Sequence, residues 1–469
     1  MPAPLSRFPL LSSLRHPRAT TGLACDRAAL PQCTSPPAGR QPSAGATAPS
    51  LRAFAAICVL LAVTLLYGCD TPRKKTPPQQ SDSTGVTETT VRLASSLPLS
   101  GHASYLGQQT LRGAMTYINH VNDTGGVHGR MIELEARDDG YDPPRCLANT
   151  QQFLINANIF ALFSYVGTPT TLRILPLVDD ASIPLVGIFS GGNALRTPFN
   201  RYIFNIRASY YQETAAAVRY FVHTRGMKRI AVFYQYDAYG FDGLTGAELA
   251  LQELGLAPVA RGFYSRGTTD VEEGMRRIMA SEPDAVLMVG TYEPTASFIR
   301  KAEEAGLDAV FHCLSFTGPE ELARLLAAGT RNEVIVSQVV PPPLVKQAPD
   351  LLGIVSDYLT LLARYYPAST PSSVGLEGFV NARIMVEGLR RAGPDLTRER
   401  FVTALEELTD FSLGGQTRIH FGPQSRQGLQ QVYFTTLRNG HFELMHQMSD
   451  VAPVSAQGPR AIPGRQVQP

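Results

Sequence analysis

The sequence lacks the short motifs that mark the common classes of enzyme. No G-x-G-x-x-G follows a strand-like run, and there is no G-x-x-x-x-G-K-[ST], no G-x-S-x-G and no H-E-x-x-H. The nine histidines are scattered, which is more typical of surface or packed residues than of ligands. These absences do not exclude an enzyme, but they indicate no recognisable catalytic site, and we predict neither a metal nor a cofactor.

Cysteine is scarce, and its positions limit what it can do. The six cysteines are Cys25, Cys33, Cys58, Cys69, Cys146 and Cys313. They include no Cys-x-x-Cys pair and therefore give no metal-binding pattern. Only Cys146 and Cys313 lie in the part of the chain with a globular composition. We expect both to be small buried apolar residues rather than partners in a disulfide.

Strong charge of one sign is also missing. The first 68 residues contain six arginines and one aspartate, a net charge of +5, which leaves −3 for the rest of a chain whose formal total is +2. No basic domain remains that would indicate binding to nucleic acid.

An uncharged run over 53–68 is shorter than the roughly 20 residues that a helix needs to cross a bilayer. It is typical of the core of a signal peptide. Its last letters, LYGC, resemble the bacterial lipobox, whose cysteine receives lipid and becomes the first mature residue. We therefore predict a lipoprotein signal peptide over 51–68, lipidation at Cys69, and a leader or mis-assigned start over 1–50. An ordinary secretory signal or a short anchor helix is the alternative.

Large apolar side chains are almost absent from residues 69–90, so this segment cannot offset the entropy of ordering. We predict a flexible tether there and a disordered tail over 446–469. The protein is accordingly expected to be periplasmic or extracytoplasmic, held to the cell membrane by lipid.

Between the tether and the tail, strand-like runs alternate with helical ones, which predicts βαβ units and parallel sheets. A second series begins at Tyr210. Glycines fall where three of its helices should end, at Gly226, Gly255 and Gly306, as left-handed caps do. The predicted fold class is α/β, with two doubly wound, Rossmann-like lobes in tandem.

Two strands end in small, hydroxyl-bearing turns, SYVGTPTT and IFSGG. If each turn opens a helix, its unpaired backbone N–H groups can hold a carboxylate, and Thr168, Thr170, Ser190 or Asn193 can donate further bonds. Both turns lie at carboxyl ends of parallel strands, where open α/β sheets place ligands. The alternative is that Thr168 and Ser190 are only helix N-caps.

The order and spacing of several segments carry a family resemblance. These segments are LPLSGHASYLGQQT, SYVGTPTT, IPLVGIFSGG, RIAVFYQYDAYGFDGL and VGTYEPTASFIRKAEEAG. Over residues 90–445 they resemble the type I periplasmic solute-binding proteins of ABC importers, of the leucine/isoleucine/valine-binding kind. The resemblance implies a periplasmic-binding-protein type I fold, with lobe 1 over 91–207 and 343–430, lobe 2 over 208–338 and 431–445, and three crossings between them.

The resemblance also implies a ligand site between the lobes. Lobe 1 would hold the ligand's carboxylate and cover the ligand with Gly167, Thr168, Ser190, Gly191, Gly192 and the aromatic Tyr105. Lobe 2 would contribute Tyr210, Asp237, Tyr239, Thr291, Tyr292 and Ser315.

One position departs from the pattern of amino-acid binders. Where they place an acid for the ammonium group, after the strand AVFHCLSF, this chain has Ser315 or Phe316. An ammonium group buried without a counter-charge costs several kcal/mol. Either Asp237 or Glu293 substitutes, or the ligand is not an amino acid. Arg207 could serve an anionic ligand, or it could form a structural ion pair.

The function that the resemblance implies is a lipid-anchored substrate-binding protein and not an enzyme. Its partners would be a small carboxylate or amino-acid-like ligand, an ABC permease in the inner membrane, and the membrane itself. A ligand-sensing receptor of the same fold and an extracytoplasmic enzyme remain as alternatives.

Overall fold

The computed structural model describes residues 82 to 445, apart from 157, 328, 345–347 and 416. The predicted signal peptide, Cys69 and the predicted tail lie outside this part of the chain. Within the described part, none of the helices has both the length and the apolar character that crossing a membrane requires.

The described part of the chain begins before the predicted end of the tether. Asp82 forms an ion pair of 2.5 Å with Arg398, and the carbonyl oxygen of Gly85 accepts a bond of 2.8 Å from the backbone N–H of Arg92. These contacts compensate for the few apolar side chains of the segment. Residues 82–89 are therefore part of the fold rather than of the tether.

Five parallel strands form the first sheet. They are β1 (Thr90–Leu97), β2 (Met131–Asp138), β3 (Ala161–Phe163), β4 (Leu185–Val186) and β5 (Ile203–Phe204). The strand order is β2-β1-β3-β4-β5, which is that of a doubly wound sheet.

The second sheet repeats this order and adds two antiparallel strands. Its members are β6 (Ile230–Gln235), β7 (Arg261–Tyr264), β8 (Ala285–Val289), β9 (Val310–Cys313), β10 (Val334–Gln338), β13 (Tyr433–Arg438) and β14 (His441–Leu444). The order is β14-β13-β10-β9-β8-β6-β7. A separate pair joins β11 (Phe411–Ser412) to β12 (Arg418–Ile419).

Helices cover both sheets. In chain order they are α1 (Ser104–Asp123), α2 (Pro143–Asn156), α3 (Thr168–Asp180), α4 (Tyr210–Arg219), α5 (Ala238–Glu253), α6 (Glu272–Met279), α7 (Tyr292–Glu304), α8 (Pro319–Leu325), α9 (Ala348–Leu351), α10 (Ile354–Tyr365), α11 (Ser373–Ala392) and α12 (Arg398–Glu406). Every residue of β6 and β8 is buried, as in parallel strands packed on both faces.

The chain passes between the two sheets three times. It leaves the first sheet after β5, and after β10 it returns to form α10 to α12, whose apolar residues share a core with β1 and β3. It then crosses again to add β13 and β14. The predicted architecture of two doubly wound lobes joined by three crossings is confirmed, whereas the residue boundaries given for the lobes stay a prediction.

Helices α1 and α11 approach each other through glycines. A Cβ atom on Gly113 would lie 1.8 Å from the carbonyl oxygen of Gly375, and one on Gly378 would lie 2.2 Å from that of Thr110. Real Cβ atoms do not come so close to backbone oxygens. The crossing therefore depends on the absence of side chains, and it fixes α11 relative to the helix that follows β1.

Local expectations for glycine and cysteine agree with the structure. Gly226, Gly255 and Gly306 have φ angles of 68°, 71° and 87°, in the left-handed region expected after a helix end. Cys146 and Cys313 are buried and form no disulfide. Burial raises the pKa of both thiols.

Candidate functional site

The carboxyl ends of the parallel strands of the two sheets face each other. The segment after β4 contacts the other lobe at two places: Phe189 packs against Phe316 in the turn after β9, and the backbone N–H of Asn193 donates to Asp242 in α5, the helix that follows β6. We call the space between these strand ends the interlobe cleft. Doubly wound sheets bind ligands at this edge.

The two hydroxyl-bearing turns of the first lobe meet in the cleft. Thr168 Oγ1 and Ser190 Oγ lie 2.8 Å apart, and Ser190 Oγ accepts a bond of 3.1 Å from the backbone N–H of Gly192. Both hydroxyl side chains are buried. They form one polar patch, built from two strand ends that are neighbours in the sheet.

Neither hydroxyl is a helix cap. Gly167 occupies the N-cap position of α3 and gives no side-chain bond, and Thr168 is the first helical residue. The turn after Ser190 opens only a 3₁₀ turn, Asn193–Leu195, where we expected a helix. The N-cap alternative is therefore wrong for both residues, and a helix dipole is available only at the first turn.

Glycines in these turns lie against tyrosine rings. A Cβ atom on Gly167 would lie 2.2 Å from a ring carbon of Tyr141, and one on Gly191 would lie 2.5 Å from a ring carbon of Tyr210. Gly167 also has a φ of 100°. The sequence therefore keeps both positions without a side chain so that the rings can cover the turns.

Aromatic rings from both lobes fill the centre of the cleft. The ring of Phe316 lies 4.8 Å from Tyr239, 5.7 Å from Phe189 and 5.8 Å from Tyr141, between centroids. Tyr239 in turn lies 5.1 Å from Tyr210. This apolar cluster is buried where the lobes meet, so a ligand that reaches it must enter while the lobes are apart.

Three hydroxyl groups in this region are buried without a hydrogen-bond partner: those of Tyr141, Tyr210 and Thr291. Burial raises the pKa of both phenols, so they remain neutral donors. Buried polar groups in proteins nearly always have partners. These hydroxyls are therefore available to a polar ligand.

Asp237 and Glu293 were the sequence candidates for an ammonium partner, and neither carboxylate is free in the cleft. Asp237 accepts bonds from the backbone N–H groups of Tyr239 and Gly240, at 3.0 and 3.3 Å, and its carboxylate lies 3.6 Å from Arg266. It thus caps α5, and burial raises its pKa. Glu293 is exposed at the start of α7.

The two predicted tyrosines at the cleft edge contact each other. Tyr105 and Tyr292 have ring centroids 6.1 Å apart, and the Tyr105 hydroxyl donates to Glu320 at 3.2 Å. Glu320 also accepts a hydrogen bond of 2.6 Å from the backbone N–H of Ser373, the first residue of α11. A lobe 2 carboxylate therefore joins two lobe 1 helices.

A second carboxylate bridges the lobes on the other side. Both oxygens of Asp242 lie 2.9 Å from the backbone nitrogen of Asn193, which donates to them. Burial raises the pKa of Asp242 to about 6, against the lowering effect of the bond from Asn193 and of the nearby Arg196 charge. Asp242 and Glu320 therefore make contacts that exist only while the lobes are together.

Ser315 belongs to a buried ion network. Its hydroxyl donates to Glu213 at 2.8 Å and also contacts Arg207. Arg207 lies 3.3 Å from the carboxylate of Glu213 and 3.4 Å from that of Glu377. The structural ion pair that we considered for Arg207 is confirmed, and Ser315 is already committed to it.

All of the site residues predicted in the described part lie at the junction of the lobes, but the sequence analysis missed several of their neighbours. Those are Tyr141, Phe189, Asp242, Glu320, Gln338 and Glu377. Glu377 gave a usable signal, because it is the one acid in the mainly apolar stretch SVGLEGFVNARIM. Within residues 82–445 as described, no cluster of three or more histidine, cysteine or acidic residues could hold a metal ion.

Comparison with known proteins identifies relatives. A family model described as "Periplasmic binding protein" matches residues 90–441. An amino acid binding protein of Pseudomonas aeruginosa is 26% identical over 227 residues, which is 48% of this chain and 60% of that protein. The chain thus spans less than two thirds of the length of this relative.

Solved structures align over more of the chain. A possible leucine/isoleucine/valine-binding protein from Rhodopirellula baltica SH 1 has 31% identity and a TM-score of 0.72, covering 78% of this chain and 98% of that one. A substrate-binding periplasmic protein from Ralstonia solanacearum has 31% identity and a TM-score of 0.70, and the match covers 76% of this chain and 99% of that one.

Proposed function

Because the chain belongs to the family of type I periplasmic binding proteins, we propose that it is the lipid-anchored substrate-binding protein of an ABC importer. It captures a small carboxylate or amino-acid-like ligand between its lobes and presents the closed form to the permease. Members of the family are binding proteins, and membership implies a place outside the cytoplasm.

The observation that carries this proposal is the hydroxyl pair of Thr168 and Ser190 at the first turn of α3. Neutral hydroxyls beside the positive end of a helix suit a carboxylate, because the dipole and the unpaired N–H groups favour negative charge there. The unpartnered hydroxyls of Tyr141 and Tyr210 lie close by. The names of the relatives, which include amino acid binding, agree with such a ligand.

Hinge closure follows from burial. Thr168, Ser190 and Tyr239 are 1%, 0% and 0% exposed, so a ligand reaches them only after the lobes separate. A ligand that contacts both lobes adds interactions available only in the closed form, and it shifts the population towards that form. The carboxylates of Asp242 and Glu320 then re-form their bonds across the cleft.

We expect acids to raise the melting temperature of the purified full-length protein in detergent, while the corresponding methyl esters do not. At about 100 times its dissociation constant, a ligand adds about 2.7 kcal/mol to the free energy of unfolding. Esters keep the body of the ligand but lose the charge that the hydroxyl turns would bind. The measurement is a thermal melt against amino acids, short-chain acids, aromatic acids and their esters.

The matched control is Thr168→Val, which keeps the shape of the side chain and removes its hydroxyl. It should lower the shift caused by acids and leave the melt without ligand within a few degrees of the wild type. Equal shifts by acids and esters would remove the carboxylate assignment, and no shift by any compound in the panel would remove the proposed function.

Membrane attachment is tested separately, because it depends on the sequence around Cys69. Cys69→Ala should move the protein from the membrane fraction to the soluble extracytoplasmic fraction, since no thiol remains to carry lipid. Cys58→Ala is the matched control, because it also removes a cysteine from the signal region and should leave attachment unchanged. Membrane attachment of the Cys69→Ala protein after fractionation would count against lipidation at this residue.

A further inference from the structure

The turn that carries Phe316 is held on both sides. Phe316 lies in a 3₁₀ turn, Ser315–Thr317, that follows β9. The backbone N–H of Ser315 donates to Glu213 at 2.8 Å. On the other side, Thr317 Oγ1 donates to the carbonyl oxygen of Gly290 at 2.9 Å. The backbone that presents the Phe316 ring to the cleft is therefore fixed relative to the second sheet.

Two rings of the first lobe face Phe316. Phe189 and Tyr141 have ring centroids 5.7 and 5.8 Å from it, and their planes are inclined to its plane by 43° and 37°. Phe189 directly precedes Ser190, and the ring of Tyr141 lies against Gly167. Both rings therefore adjoin the hydroxyl pair that we propose for the carboxylate. A ligand held at that pair extends between the rings of the two lobes.

The space between these rings suits a thin group. In this structure the lobes are together, and the backbone N–H of Asn193 donates to Asp242 across them at 2.9 Å. The Tyr105 hydroxyl donates to Glu320 in the same way, at 3.2 Å. A planar ring is one layer of carbon atoms thick, about 3.5 Å, whereas a branched aliphatic chain is thicker because its carbons are tetrahedral. A planar group therefore keeps the lobes closest to the separation at which these two bonds form.

The carboxylates close to the rings share one property, which is that a group of the protein already binds each of them. Within residues 82–445 as described, they are Asp139 with Ser96, Glu213 and Glu377 with Arg207, Asp237 with Arg266, Asp242 with the backbone of Asn193, and Glu320 with Tyr105. An ammonium group buried among the rings would have to displace one of these partners or stay without a counter-charge, and both are costly. The rings offer apolar and edge-to-face contacts instead.

We propose that the ligand is an aromatic carboxylate without an ammonium group. Its planar ring lies between Phe316 on one side and Phe189 and Tyr141 on the other, while its carboxylate lies at the hydroxyl pair. This inference rests on the proposed function and names the class of ligand that the same site takes. It makes the three rings the residues that determine specificity, and it assigns no new role to the buried ion network.

The test compares three compounds that share one carbon skeleton. They are 3-phenylpropanoate, its saturated analogue 3-cyclohexylpropanoate, and phenylalanine, which adds an ammonium group. Binding to the full-length protein in detergent is measured by calorimetry. The aromatic acid should bind on the order of 2- to 12-fold more tightly than the saturated acid, the size of one aromatic contact beyond buried area. Phenylalanine should bind at least about 10-fold more weakly than 3-phenylpropanoate, because its ammonium group finds no free acid.

Phe316→Leu tests the ring itself, because leucine keeps an apolar side chain and removes the aromatic face. The preference for the aromatic over the saturated acid should fall below about 2-fold. Phe189→Leu should have the same effect from the opposite wall, and it keeps the test decisive if Phe316→Leu does not fold. Phe241→Leu is the matched control, because Phe241 is 41% exposed on α5 and packs against Tyr236 instead of the cleft rings. It should leave the preference unchanged.

The outcomes separate this inference from the proposed function. If the saturated acid binds as tightly as the aromatic acid, or if phenylalanine binds more tightly than 3-phenylpropanoate, the ligand class is overturned and the proposed function stands. An unchanged preference in both Phe316→Leu and Phe189→Leu would also overturn the inference. Failure to bind any compound of the wider panel of acids and amino acids would overturn the proposed function and this inference with it.

Discussion

Replacing Arg207 with methionine is expected to lower the free energy of unfolding by about 3 to 5 kcal/mol, the cost of leaving a buried charge without its partner. Arg207 is 1% exposed and lies between the carboxylates of Glu213 and Glu377. Methionine fills a similar volume but brings no charge, so two acids then share one desolvated region. The measurement is urea unfolding at pH 7.5, followed by circular dichroism.

Two controls make this result specific to buried charge. Arg400 pairs with Asp395 at the surface, where the two side chains are 56% and 85% exposed. Arg400→Met should therefore lower the free energy of unfolding by only about 0 to 1 kcal/mol. Adding Glu213→Gln to Arg207→Met removes one of the stranded acids and should recover part of the loss. A cost for Arg207→Met no larger than that for Arg400→Met would contradict the ion network.

Gly113→Ala is expected to destabilise the protein by about 1 to 3 kcal/mol, as overpacking of a tight interface does. The new methyl group would meet the carbonyl oxygen of Gly375 at 1.8 Å, so α1 and α11 must move apart. Glu377 lies two residues beyond Gly375, and it moves with the helix. Because Glu377 pairs with Arg207 at the junction of the lobes, we also expect weaker ligand binding, measured by calorimetry alongside the thermal melt.

Gly422→Ala is the matched control for this prediction. The nearest atom to its new Cβ would be the Cβ of Ser425, at 4.0 Å, so it adds the same methyl group without a clash. Its stability and binding should match the wild type. Equal stability of Gly113→Ala and Gly422→Ala would show that the two helices have room between them.

The fold could be predicted from the sequence because its signals are local. Alternating strands and helices, buried strand runs such as AVLMV, and glycines at helix ends are each visible within a short stretch. The hydroxyl turns were also visible, because the end of a parallel strand marks the ligand edge of the sheet. The geometry that follows each turn could not be predicted, because the sequence signals that begin a 3₁₀ turn and an α-helix are the same.

The missed residues are those whose role depends on contacts between distant parts of the chain. Glu377 meets Arg207 across 170 positions. Tyr141 has a φ of 62°, an unusual conformation for a tyrosine, and reaches the cleft only because Gly167 has no side chain. No periodicity or spacing reports such pairings. They explain why these contacts could be found only in the structure, whereas the strand ends that border the cleft could be predicted from the sequence.

The position at which the described chain enters the first sheet has a consequence for access to the cleft. Residues 82–89 lead into the amino end of β1, and the cleft opens at the other end of that strand, eight residues away. At about 3.3 Å per residue the two points are separated by roughly 26 Å along the strand. The point where the described chain enters the first sheet is therefore remote from the ligand edge of that sheet, and a contact made at residues 82–89 leaves the cleft uncovered.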